Sequence, residues 1–146
     1  MPAAGETIIA GKIPGERVAT STESADSANV TTTETTVQSV TAALVSGRTY
    51  RVRWAGRLSS SVATDTFVGR IREDNATGTE LASWQTDSNL PATLGLAGVI
   101  EAEYTAGATA NKTFVLAIVR SAGSGNGRLE AAATRPAYLY VDYISG

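Results

Sequence analysis

Glu101 and Glu103 stand two apart in Val99-Ile-Glu-Ala-Glu-Tyr-Thr105. On an extended strand that spacing puts both carboxylates on one face, the way a glycosidase holds its paired acids. The rest of the inventory is poor in reactive groups. The chain contains no histidine and no cysteine, so imidazole acid–base chemistry, thiolate metal sites and disulfides are outside its repertoire. A Ser or Thr nucleophile would need a lysine or carboxylate to activate it, and Lys12 and Lys112 lie in no Ser-x-x-Lys arrangement. Asp65, Asp74, Asn75 and Asp87 sit in or beside loops without forming an alternating calcium loop, and turn formation accounts for them. The Asn-x-Thr triplets at Asn29, Asn75 and Asn111 are expected by chance in so Thr-rich a chain. No enzyme activity, cofactor or metal is expected.

Arginine is the other recurring charge. Arg51, Arg53 and Arg57 alternate along Arg48-Thr-Tyr-Arg-Val-Arg-Trp-Ala-Gly-Arg-Leu58, and Arg70 and Arg72 along Asp65–Glu73. Cross-strand pairs of opposite charge stabilise a sheet by about 0.2–1 kcal/mol each, so an ion-pair face of Arg51, Arg53, Arg70 and Arg72 with Glu101 and Glu103 is expected, within the sheet or across a subunit interface. Phosphate binding fits less well. Single-strand binders interleave basic residues with exposed aromatics, whereas Tyr50 and Trp54 fall on the opposite face from the arginines. No nucleic acid is expected as a partner.

The elements that must carry these groups alternate with period two. Tyr50, Val52, Trp54 and Leu58 form the dry face of the clearest strand. Burying each large member is worth roughly 1.5–3 kcal/mol, so a second layer must cover it. Val30–Val45, rich in Thr and Val, reads as a strand paired with Arg48–Leu58 through the Ser46-Gly47 turn. Strands are also expected over 65–73 (Phe67, Gly69 and Ile71 inward), 81–85, 99–105, 113–119, 128–132 and 137–144. Thr113–Val119 is apolar on both faces, which places it centrally in a sheet or against a neighbouring subunit. About eight strands separated by turns, with no helical periodicity, predict an all-β antiparallel sandwich of jelly-roll type.

The 146 residues suffice for one domain plus an arm, and the net charge of −2 exerts no bulk pull on nucleic acid or an acidic membrane. Neither a membrane helix nor a signal peptide is expected. Residues 1–28 read as an extended arm, broken by Pro2, Gly5, Gly11, Pro14 and Gly15, and residues 29–146 as the sandwich. Ile8, Ile9, Ile13 and Val18 within the arm are expected to dock on a partner or on the domain itself. The closing segment puts Tyr138, Tyr140 and Asp142 on one face and Leu139, Val141 and Tyr143 on the other. Its wealth of large side chains on both faces points to a subunit interface that uses Tyr138, Tyr140 and Tyr143.

The opening Pro2-Ala-Ala-Gly-Glu-Thr-Ile-Ile-Ala-Gly-Lys-Ile-Pro14 resembles the starts of small virion proteins of tailed bacteriophages that infect actinobacteria. Ser46-Gly-Arg-Thr-Tyr-Arg-Val52, Arg70-Ile-Arg-Glu-Asp-Asn75 and Tyr138-Leu-Tyr-Val-Asp-Tyr-Ile-Ser-Gly146 carry the likeness through the body. The resemblance implies a β-sandwich without active-site residues. It also implies a head decoration (minor capsid) protein on the capsid exterior, assembled in the host cytoplasm, bound to the major capsid protein and associated as a homo-oligomer, a trimer in the favoured case. A minor tail or tail-fibre protein that binds host-surface carbohydrate is the alternative.

Overall fold

Valine, threonine and the aromatics favour a pleated backbone because their bulk near Cβ packs well on it. In the computed structural model, which describes residues 13–86 and 92–146, the alternating segments are antiparallel strands. They are β1 (Arg17–Glu23), β2 (Thr35–Leu44), β3 (Thr49–Ser60), β4 (Thr66–Glu73), β5 (Glu80–Gln85), β6 (Leu96–Thr105), β7 (Ala110–Ala122), β8 (Gly127–Glu130) and β9 (Ala137–Ser145). One sheet runs β1-β9-β3-β6, with β8 also paired to β3, and the other runs β2-β7-β4-β5. The pairs are nested: β1 with β9, β2 with β7, β3 with β6, β4 with β5. A long two-stranded ribbon folded over on itself has this pattern, so the molecule is an antiparallel sandwich of jelly-roll type, with β8 added between β7 and β9.

The strand beyond the expected eight is β1. Residues 17–23, read as part of the arm, pair with β9 from Arg17↔Asp142 to Glu23↔Ala137. Their small polar residues look like a linker because β1 is an edge strand, with one face in water and little need for bulk. Val18 and Ala19 pack against the core, so Val18 belongs to the sandwich and is not an arm contact for a partner. Ile13 is 48% exposed. Ile8 and Ile9 lie outside the described residues.

β2 does not pair with β3. Gly47, at φ +82°, turns the corner so that β2 enters the opposite sheet and pairs with β7. Two-layer burial explains the choice: Val40, Ala42 and Leu44 face the core from one sheet, and Tyr50, Val52, Trp54 and Leu58 from the other. A hairpin would have put both sets in one layer. Gln38 also points inward, where its amide donates to Ser21 O (3.1 Å) and Ala137 O (3.2 Å) and ties β2 to β1 and β9.

Of the two positions open to the strand at 113–119, the fold takes the central one, and one expected interface residue, Tyr143, is internal. β7 is central in its sheet, between β2 and β4, and its outward Val115 and Ala117 are buried. They sit opposite Arg72 and Arg70 of β4, whose aliphatic stems can cover them. No neighbouring subunit is needed there. Tyr143, expected at a subunit interface, is a core residue: it is buried, its ring lies 5.9 Å from that of Tyr50, and its hydroxyl donates to Gly146 O at 2.6 Å. Facing inward with Leu139 and Val141, it cannot meet another chain.

Candidate interaction surface

Strand pairing assembles the outer face of the five-stranded sheet row by row. The first row runs Arg17, Asp142, Arg51, Glu103 and the second Thr20, Tyr140, Arg53, Glu101. The third row is different: Thr22, Tyr138, Ala55, Val99. Beyond it Arg57 lies between Ala97 and Glu130.

The charges on this face are largely compensated. Glu101 forms ion pairs with Arg51 (Nε at 3.2 Å) and Arg53 (Nε at 3.9 Å), a diagonal and a direct pair from β6 to β3. Glu130 takes Arg57 and Arg135, both at 3.6 Å, and Arg57 also donates to Gly95 O at 2.7 Å. Arg17 donates to Asp142 at 2.9 Å and lies 3.7 Å above the Tyr140 ring. The hydrogen bond to Asp142, more than its charge, holds the Arg17 pKa above the usual value. Glu103, next to Arg51 in register, makes no ion pair among the described residues. With Glu101 engaged by two arginines and both glutamates on an exposed edge strand, the two do not converge on a pocket.

Arg70 and Arg72 do not join this face. They project from the other sheet, and their partners are Glu34 and Glu80, which the period-two reading did not single out. Glu34 takes Arg70 at 2.9 Å and Arg72 at 2.7 Å; Glu80 takes Arg70 at 3.0 Å and Arg72 at 3.5 Å. The hydrogen bond that Arg72 donates to Glu34 raises the Arg72 pKa despite partial burial. Glu34 precedes β2 and Glu80 opens β5, so only the folded sheet brings the four together. Replacing Glu34 by Gln is expected to cost about 1 kcal/mol, since the pairs are partly shielded and share a carboxylate. Urea denaturation would read this as a lower midpoint with unchanged slope, and an unchanged midpoint would reduce the cluster to surface decoration.

Lys112 is held by Asp74 (2.8 Å) and Glu73 (2.7 Å). Hydrogen bonds to these two carboxylates, Asp74 first, push its pKa up, so it stays protonated and is unsuited to activate a hydroxyl. Lys12 and Asp87 lie outside the described residues. Asn75 Oδ1 accepts the Thr77 amide and hydroxyl at 2.9 and 2.7 Å, the turn role expected of it.

Asp65, expected only in a turn, organises a loop. Buried at 3% exposure, it accepts Ser60 Oγ (2.8 Å) and the amides of Ser124 (2.9 Å) and Gly125 (2.7 Å). Beside it a hollow of about 100 Å³ is lined by Asn29, Ser59, Ser60, Ser61, Thr93, Asn126 and Arg128. Among the described residues no cluster of carboxylates is arranged to hold a metal, and no helix is long and apolar enough to cross a membrane.

No family model and no curated protein matches the sequence. Among solved structures, the chain aligns over its whole length with 30% of a glycoside hydrolase family 43 arabinoxylan arabinofuranohydrolase from Bacillus subtilis, at 18% identity and a TM-score of 0.37. It also aligns, over 77% of its length and 73% of the other's, with the CBM22-2 xylan-binding domain of Xyn10C from Paenibacillus barcinonensis, at 16% identity and a TM-score of 0.34. Likenesses this distant carry no functional argument.

Proposed function

We propose that the chain is a non-enzymatic structural protein of a tailed-phage virion: a head decoration (minor capsid) protein that binds the major capsid protein from the capsid exterior and stabilises the shell. The observation that carries the reading is where the sandwich's grip on its N-terminal segment begins. Gly15 N donates to Tyr143 O at 2.7 Å and Tyr143 N to Glu16 O at 2.9 Å, while Ile13 is 48% exposed. The core is therefore complete without Ile13, whose exposed apolar side chain is available to a partner. The resemblance of Pro2–Pro14 and of the body to phage virion proteins supplies the kind of particle. Copies would associate as a trimer about a symmetry axis of the shell, each arm reaching a neighbouring capsomer.

Deletion of residues 1–13 is expected to leave the thermal midpoint within a few degrees of the full chain, yet to abolish binding to capsids that lack the protein. Cosedimentation measures this directly. Retained binding would remove the arm from the interaction, and immunogold label on the tail instead of the head would overturn the decoration role. Native mass spectrometry should show a trimer, and a monomer would exclude the threefold arrangement.

A further inference from the structure

We infer that the outer face of the five-stranded sheet carries a transverse groove that binds an uncharged polysaccharide, with Tyr138 as the stacking platform. Tyr138, Ala55 and Val99 lie in one row across β9, β3 and β6. Tyr138 is 41% and Val99 50% exposed, while between them the floor is a single methyl group. Two strand spacings, about 10 Å, separate Tyr138 from Val99 along this row, a length that accommodates one sugar ring. Along β3, Arg53 and Arg57 flank Ala55 at about 7 Å on either side, each beside a carboxylate, Glu101 or Glu130. The groove thus runs across the strands, from Thr22 on one edge strand to Val99 on the other, and is open at both ends to a polymer.

The charge pattern selects the occupant. Each flanking arginine is paired on the sheet itself, so a polyanion such as nucleic acid would have to displace Glu101 and Glu130. A second protein copy would have to bury both ion pairs, at a desolvation cost that attraction often fails to repay. A sugar needs neither. Its hydroxyls take the place of water on an arginine–carboxylate pair, which offers a donor and an acceptor side by side to adjacent hydroxyls, and its flat C–H face covers the Tyr138 ring. Tyr140 is less available, because Arg17 already lies on its ring. The inference does not depend on the virion reading, because the isolated protein tests it.

The test is affinity electrophoresis of the full-length protein in native gels containing hydroxyethyl cellulose, soluble arabinogalactan or, as the polyanion, heparin. Retardation is expected in at least one neutral polysaccharide and not in heparin. Tyr138→Ala should weaken it at least tenfold. Ala55→Gln, which fills the floor and leaves Tyr138 in place, should do the same, whereas Ser39→Ala on the other sheet should change nothing. Circular dichroism and the thermal midpoint establish that each variant is folded. Absence of retardation in both neutral polymers, or retardation by heparin alone, would overturn the inference. So would a smaller native mass for Tyr138→Ala, which would make the face an interface between copies.

Discussion

Replacing Trp54 by alanine is expected to lower the stability of the domain by about 3–5 kcal/mol, the largest loss anticipated from truncating a single side chain. Trp54 is 0% exposed, lies between Leu139 of β9 and Ile100 of β6 in register, and its ring stands 6.3 Å from that of Trp84. The neighbourhood is shaped around the indole. A Cβ on Gly56 would come within 2.6 Å of the Trp54 ring, and one on Gly98 within 2.7 Å of Trp84. The sheet cannot close over a vacancy of that size, because its strands are held at fixed spacing by their hydrogen-bond ladders. Trp54→Phe should cost much less, about 1–2 kcal/mol, because most of the ring volume stays and the indole N–H has no acceptor to lose among the described residues. Urea unfolding followed by circular dichroism checks both. An alanine variant within 1 kcal/mol of the parent would mean that the two layers can relax onto each other here.

Asp65→Ala is the second large effect, about 2–4 kcal/mol, because it strands the buried amides of Ser124 and Gly125 and the Ser60 hydroxyl without their acceptor. The loop is built around this carboxylate: Gly123, at φ +99°, could carry a Cβ only 1.8 Å from Oδ1. Burial pushes the Asp65 pKa up, but the hydrogen bonds from Ser60, Ser124 and Gly125, helped by Arg120, outweigh it and hold the group below the usual carboxylate value. The sign of the pH effect follows. The unfolded chain binds this proton more readily, so the contribution is complete above the ordinary value near 4 and disappears as pH falls through the lower folded value. Urea midpoints of the parent and of Asp65→Asn should therefore lie further apart at pH 7 than at pH 2. An equal gap at both would show that the charge on Asp65 is immaterial to the loop.

Much of the ion-pair face was legible because its logic is local. Arg51 and Arg53 share one face of β3 and Glu101 points outward from β6 whichever strands pair, because alternation alone fixes the face; that β6 lies beside β3 comes from the fold. Arg70 and Arg72 were legible as outward and charged, but their partners were not. Glu34 sits before β2 and Glu80 at the start of β5, and nothing in the spacing of either couples it to β4. Asp65 gave only a turn signal, because its acceptor role depends on amides some sixty residues away.

By itself the sequence determined that the chain is all-β, that Tyr50, Val52, Trp54 and Leu58 form a dry strand face, and that thiol and imidazole chemistry are absent. Those properties depend on residue type and on a period of two, which the pleat imposes on any strand. Tertiary structure alone decided that β2 crosses to the other sheet, that residues 17–23 complete the first sheet, that Tyr143 is interior, and that Tyr138, Ala55 and Val99 stand in one row across β9, β3 and β6. The physical reason is that alternation says which way a side chain points and not which strand lies beside it. Backbone hydrogen bonds are the same for every candidate neighbour, and only the burial of all the inward faces together selects among them.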